Sequence, residues 1–301
     1  MELLMSDTCQ DCGGHLMLSD EDKPNTKKLH KAFMNAMEWL HASGVFKIKD
    51  IKDPIIVALI DETAKIYNQA VDKAITQTDA TDVLIRSLKS SGYAFSGFKA
   101  HAMIQEAANM LVGDDGNIKP FERFSNDVRT IDESYNKQYL YSEYKFATGS
   151  AQMADKWVRY EKDGDKYNLQ YRTANDKRVR DTHKKLHNVT LPITSRFWDA
   201  YYPPNGWGCR CNAVQVRKSK YEVTDEMDAM DKGKEATAGK HATMFRFNSG
   251  KSKHLFPPHN PYTLSSCTQC SATGYPNAKN PTNQVCAACP GIRSMAKKGV
   301  N

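Results

Sequence analysis

Residues 172–217 read RTANDKRVRDTHKKLHNVTLPITSRFWDAYYPPNGWGCRCNAVQVR, and their punctuation decides the kind of fold the C-terminal half adopts. Pro203-Pro204 enforces an extended backbone, and Asn205-Gly206 immediately after it forces a turn. Trp198 and Trp207 are apolar groups large enough to clamp that turn against a core. Cys209 and Cys211 fall on one face of an extended segment, because side chains alternate there with period two. Residues 212–217 alternate like a strand. Residues 175–186 predict a short helix, and if it extends to His187 then His183 and His187 share a face one turn apart.

Working outward, residues 157–160 and 167–173 flank the polar, glycine-containing run 161–166, which predicts a β-hairpin. On the other side, 218–241 is polar and charged and reads as a linker or exposed excursion. Residues 245–262 are loop-rich, with Pro257, Pro258 and Pro261.

Helical signals dominate upstream. Asn25 or Thr26 can cap a helix that carries Leu29, Phe33, Met37 and Leu40 on one face and ends near Gly44. Asp53-Pro54 is an N-cap followed by proline at the first helical position. Behind it Ile56, Leu59, Ile60, Thr63, Tyr67, Ala70 and Val71 recur at three and four residues. Asp79 or Thr81 opens a further helix that Ser91-Gly92 should stop. Another covers 98–112 and ends at the turn Gly113-Asp114-Asp115-Gly116. Thr130 and Glu133 have capping-box spacing at the start of a long helix towards Trp157. The expected class is α+β: a polar leader at 1–23, a helical region at 24–156, a mixed domain at 157–262 and a tail at 263–301.

A chain of 301 residues with 40% hydrophobic and 26% charged residues has the composition of a soluble globular protein. Its longest apolar run, 55–60, is far below the ~20 residues that span a bilayer. The first five residues are too short and too acidic for a signal peptide, so a cytoplasm-like compartment is expected. No glycine-rich nucleotide motif appears, and no small-molecule substrate is expected. Net charge is +7, and residues 156–190 hold ten Lys/Arg against five Asp/Glu. That surplus is either a solvated surface, a nucleic-acid contact or a face for an acidic protein.

All eight cysteines fall in close pairs: Cys9/Cys12, Cys209/Cys211, Cys267/Cys270 and Cys286/Cys289. Such pairs point to metal or redox chemistry rather than structural disulfides. Two Cys-x-x-Cys turns, Cys267/Cys270 and Cys286/Cys289, have the spacing of a four-cysteine structural zinc site. The alternative is a redox dithiol pair or incidental cysteines. Cys209 and Cys211 can join His183 around a metal, pair with Cys9 and Cys12, form a disulfide staple, or stay as buried thiols.

The central stretch resembles the Mu F-like family of phage minor head proteins. That family's pattern is Arg-x-x-His-x-x-Leu, a later Trp, then Pro-Pro-x-Gly-Trp-x-Cys-Arg-Cys. Arg180, His183, Leu186, Trp198, Pro203, Pro204, Gly206, Trp207, Cys209, Arg210 and Cys211 fill those positions. Phe245-Arg246-Phe247-Asn248-Ser249-Gly250 and His259-Asn260-Pro261-Tyr262 match more loosely, where the family shows Asn-Pro-Gly and His-Pro-Tyr. His187-Asn188 departs from the family's Asp-Gly. The resemblance covers about 155–262 well and the helical region weakly.

The resemblance implies a structural, non-enzymatic role. Family members are minor virion components associated with the portal and linked to procapsid assembly and DNA delivery. Portal, other head proteins and packaged DNA are thus the expected partners, in the virion and in the host cytoplasm during assembly. The competing readings are a nucleic-acid-binding zinc protein whose tail makes the contact, and a nuclease or toxin-like effector using His183 and His187 for acid–base chemistry.

Overall fold

The computed structural model describes residues 23–75, 81–239, 241–263 and 289–298, together with the backbone of 8–9, 15–16 and 284–288. Its elements in chain order begin with strands β1 (Thr8–Cys9) and β2 (His15–Leu16), then helices α1 (Lys27–Ser43), α2 (Pro54–Ala74) and α3 (Asp82–Ala108). Next come α4 (Phe121–Asp127), α5 (Arg129–Glu133), α6 (Leu140–Lys162), β3 (Tyr167–Arg172), α7 (Asp181–Lys184), β4 (Thr190–Pro192) and α8 (Phe197–Tyr201). The order closes with β5 (Asn212–Arg217), α9 (Glu226–Ala236), α10 (Ser249–Ser252) and α11 (Gln284–Lys298). Among the described residues helices predominate beside a two-stranded antiparallel pair, β1-β2, and a three-stranded antiparallel sheet, so the fold is α+β.

The chain divides into two compact units, each drawn from separate stretches of sequence. One comprises Pro24–Gln69, Lys89–Ser142 and Pro258–Asn301. Here α1 buries Leu29, Phe33, Met37 and Leu40, the stripe its spacing dictates, and Gly44 closes it at φ 67. Helix α2 starts at Pro54 with the Asp53 side chain accepting from the Ile55 N–H at 2.9 Å. The turn at Gly113–Gly116 forms as its composition requires, with the Gly116 N–H donating to the Gly113 carbonyl at 3.0 Å.

Two expectations fail in this unit. Helix α3 runs unbroken through Ser91-Gly92. A mid-helix glycine costs only about 1 kcal/mol, and burial of Tyr93, Phe95, Phe98, Met103 and Ile104 outweighs it. No capping box forms at Thr130: its hydroxyl donates to the Asp127 carbonyl at 2.9 Å, and α5 lacks a side-chain cap. Val128 is already helical, so there is no open N-terminus to cap, and the path continues through a π-helical stretch at Ser134–Tyr139. Part of the polar tail is helix α11, with Cys289, Ile292 and Ala296 buried and Ile292 seated against Gly97.

The other unit comprises Met1–Lys23, Ala70–Leu88 and Glu143–Pro257. Its sheet has order β4-β3-β5, with Leu169 opposite Leu191 and Tyr171 opposite Ala213. The core against it holds Met153, Trp157, Leu169, Tyr171, Leu186, Phe197, Trp198, Tyr201 and Tyr202.

The expected hairpin across 161–166 is absent. Residues 157–160 belong to α6, and Met153, Trp157 and Tyr160 face the core at the helical spacing of four and three. Strand β3 pairs instead with β4 and β5. The helix expected over 175–186 shrinks to the single turn α7, because Asn175 takes φ 51 and Arg180 is extended. Residues 218–241 contain α9, capped by Asp225, which buries Ala229 and Gly233 at the spacing of a helical face.

Candidate functional site

The signature loop and α7 meet at one end of the three-stranded sheet. Tyr202 leaves α8 extended, the Pro203–Pro204 peptide is cis, and the chain turns through Asn205 and Gly206. Gly208 has φ 67, a conformation that glycine adopts without penalty, and it aims Cys209 inward just before β5 begins.

Most of the signature residues have a defined place or partner. Arg180 donates to the Trp207 carbonyl at 2.7 Å and lies over Gly206, where an added Cβ would come within 3.3 Å of its guanidinium. Arg210 holds the Asp176 carboxylate through both guanidinium nitrogens, one of them at 2.6 Å. The two arginines stitch the 173–180 loop to the Pro-Pro-Asn-Gly-Trp loop from opposite sides. Trp207 meets Phe146 and Phe245 edge-on at 5.1 and 5.2 Å. Trp198 donates its indole N–H to the Pro192 carbonyl at 3.0 Å, and Asn248 donates to the Trp198 carbonyl at 3.0 Å. Leu186 is fully buried.

The centre of this arrangement is His183, Cys209 and Cys211. Their ligand atoms lie within 4.8 Å of one another, and His183 Nδ1 is 3.7 Å from each sulfur. His183 and Cys211 are buried and Cys209 is half-buried. The Cys209 thiol is held well below its ordinary pKa, first by the hydrogen bond from Cys211 and then by His183. Cys211 moves the opposite way, through that same bond and through burial. Burial, followed by the two adjacent cysteines, pushes the Tyr171 phenol up. Tyr171 donates to Asn205 Oδ1 at 3.0 Å, and Asn205 donates back to the Tyr202 carbonyl at 3.3 Å. This set can supply one nitrogen and two sulfur ligands to a metal ion.

His187 does not join His183. Helix α7 ends at Lys184, and His187 Nδ1 faces the Thr173 hydroxyl at 2.9 Å instead. Of the other predicted metal residues, Cys12, Cys267 and Cys270 lie outside the described residues, and only the backbone of Cys9 and Cys286 is described, in β1 and α11. Cys289 is buried on α11.

Asp176, Tyr171 and Lys156 carry no signal in the sequence that marks them as part of the site, and Asn205 is legible there only as a turn residue. The Lys156 ammonium donates to Asn212 Oδ1, next to Cys211, at 3.2 Å, and burial lowers its pKa to about 8. Spacing gives no clue to these residues, since Asp176 and Arg210 are 34 positions apart.

In the surrounding basic segment, Arg159, Lys166, Lys184 and Lys185 are engaged by Asp155, Asp163, Asp181 and Glu235. No helix among the described residues is long and apolar enough to cross a membrane.

Comparison with known proteins follows the same residues. Residues 69–214 match the family model described as Phage Mu protein F like protein. The match therefore reaches well into the helical region, where resemblance was weakest, and takes in the signature. The chain is 26% identical over 172 residues to the putative capsid assembly protein F of Escherichia phage Mu, covering 57% of this chain and 33% of that protein. It is 39% identical over 62 residues to the Mu-like prophage FluMu F protein of Haemophilus influenzae, covering 18% of this chain and 15% of that protein. The chain thus spans a third or less of the length of these relatives. No solved structure matches it.

Proposed function

We propose, from the premise that residues 69–214 make this chain a Mu F-like protein, that it takes part in assembling a phage capsid. The observation that carries the proposal is the likeness to the capsid assembly protein of phage Mu across more than half of this chain. The stitched loop fits a structural role, since Arg180, Arg210 and Trp207 are all engaged in holding one conformation. A nuclease that pairs His183 with His187 draws no support from the geometry, because each ring faces a different partner.

In the finer form of the proposal the chain is a minor head component at the portal, acting in procapsid assembly in the host cytoplasm and in DNA delivery from the virion. Its support is the family resemblance and a net charge of +7, which suits proximity to packaged DNA. Ion pairs to Asp155, Asp181 and Glu235 engage Arg159, Lys184 and Lys185 of the 156–190 segment, which reduces what it offers to any anionic partner, phosphate or carboxylate.

The test is to delete the gene from the replicon that encodes it and examine the particles produced. Heads should be aberrant or non-infectious, and mass spectrometry of wild-type heads or procapsids should detect the chain. Unchanged infectious titre, with the chain absent from procapsids and heads alike, overturns the proposal. Crosslinks to portal subunits, or their absence, decide its finer form.

A further inference from the structure

We propose that His183, Cys209 and Cys211 bind one zinc-class divalent ion, with a fourth coordination position open to solvent or to a partner beside Cys209. No matched family or relative assigns this site, and the inference does not depend on the role in head assembly.

The geometry carries it. Zinc takes sulfur at about 2.3 Å and imidazole nitrogen at about 2.0–2.1 Å, so tetrahedral angles place a nitrogen and a sulfur ligand roughly 3.6 Å apart. His183 Nδ1 stands 3.7 Å from Cys209 Sγ and 3.7 Å from Cys211 Sγ. A single ring N–H can be directed at only one of those sulfurs, whereas an ion between the three atoms satisfies all of them. Two sulfurs and one imidazole nitrogen form a borderline-soft set that favours zinc over calcium or magnesium.

The backbone is also arranged for binding. Gly208 turns Cys209 inward, period-two alternation brings Cys211 to the same side, and α7 delivers the imidazole from the opposite loop. Arg210, between the two cysteines, is tied to Asp176, and Arg180 is tied to the Trp207 carbonyl, so both loops that supply ligands are braced. His183 and Cys211 are buried while Cys209 is half-buried, which places the open position on the Cys209 side. Three protein ligands with one open position is the pattern of a site that takes water or a ligand from a second molecule.

The experiment uses the full chain purified without added metal, as wild type and as the double variant Cys209→Ser/Cys211→Ser. Elemental analysis should show the variant holding one zinc fewer per chain, whatever the other cysteine pairs hold. In a second arm, alkylation of Cys209 and Cys211 in the wild-type chain is mapped by mass spectrometry before and after chelation. Both cysteines should be protected until the chelator is added. A folded double variant with unchanged zinc content overturns the proposal. So does alkylation that is insensitive to the chelator, or a disulfide joining Cys209 to Cys211. If the double variant fails to fold, the alkylation arm decides alone.

Discussion

Gly250→Ala should destabilise the unit that contains the sheet, although local propensity predicts the reverse. Gly250 lies in α10 outside the positive-φ region, so Gly→Ala there should by itself stabilise by about 0.4–1 kcal/mol. A Cβ at Gly250, however, would sit 2.2 Å from Trp157 Cβ and 2.5 Å from its Cγ. Carbon atoms rest at about 3.5–4 Å, so either α10 or Trp157 must withdraw by roughly an ångström. Trp157 has little freedom to yield: it is 1% exposed and meets Tyr202 edge-on at 5.0 Å. Retreat of α10 strains two bonds that fix it, Ser249 Oγ to the Ser150 carbonyl and Asn248 Nδ2 to the Trp198 carbonyl, each 3.0 Å. Overpacking costs about 1–3 kcal/mol and each weakened bond about 1 kcal/mol, for a net loss of about 2–4 kcal/mol. Urea unfolding followed by tryptophan fluorescence should show the midpoint falling by about 1 M. An unchanged or higher midpoint refutes the close approach of α10 to Trp157.

Other perturbations test the surroundings of the candidate site. Burial lowers Lys156 to about 8, so in the folded state its charge is a cost at neutral pH. Between about pH 8 and 10.5 the unfolded chain keeps a proton that the folded chain gives up, so this group's contribution to stability rises with pH. Lys156→Met should therefore be more stable than wild type by about 2–3 kcal/mol at neutral pH, after the lost bond to Asn212, and the gap should close towards pH 10. Cysteine and tyrosine titrations cancel in that difference, and a gap that stays flat with pH sinks the idea. Asp176 is held at about 2, chiefly by the Arg210 hydrogen bond, so its contribution is present above about pH 4 and lost as pH falls towards 2. Its carboxylate is 40% exposed, and solvent screening limits the cost of Asp176→Asn at neutral pH to about 1 kcal/mol. Acid titration of stability should be shallower in that variant than in wild type. Trp198→Phe should cost about 1 kcal/mol through the lost indole hydrogen bond, since the Pro192 carbonyl still accepts from the Ser195 N–H, and Trp198→Ala about 3–5 kcal/mol through the cavity. A Trp198→Phe variant that melts like wild type would mean the indole N–H contributes nothing, and equal melting of the two variants would mean the cavity adds no cost.

Where backbone chemistry is local, the sequence by itself was sufficient. Asp53-Pro54, the stripe from Leu29 to Leu40, Gly44, the Gly113–Gly116 turn and the alternation of 212–217 each specify their own conformation within a few residues. The Pro-Pro-Asn-Gly-Trp-Gly-Cys-Arg-Cys run likewise carried the family likeness without any coordinates. Short or ambiguous windows went the other way. Residues 157–160 fit a strand or a helix equally well until Met153, Trp157 and Tyr160 are seen facing one core. Ser91-Gly92 can stop a helix, and burial of its neighbours on α3 decides that it does not. Only tertiary structure placed the imidazole of His183 against sulfurs 26 and 28 residues away, and the carboxylate of Asp176 against Arg210. Such meetings depend on how α7 and the signature loop pack at the end of the sheet, a long-range property that no local spacing encodes.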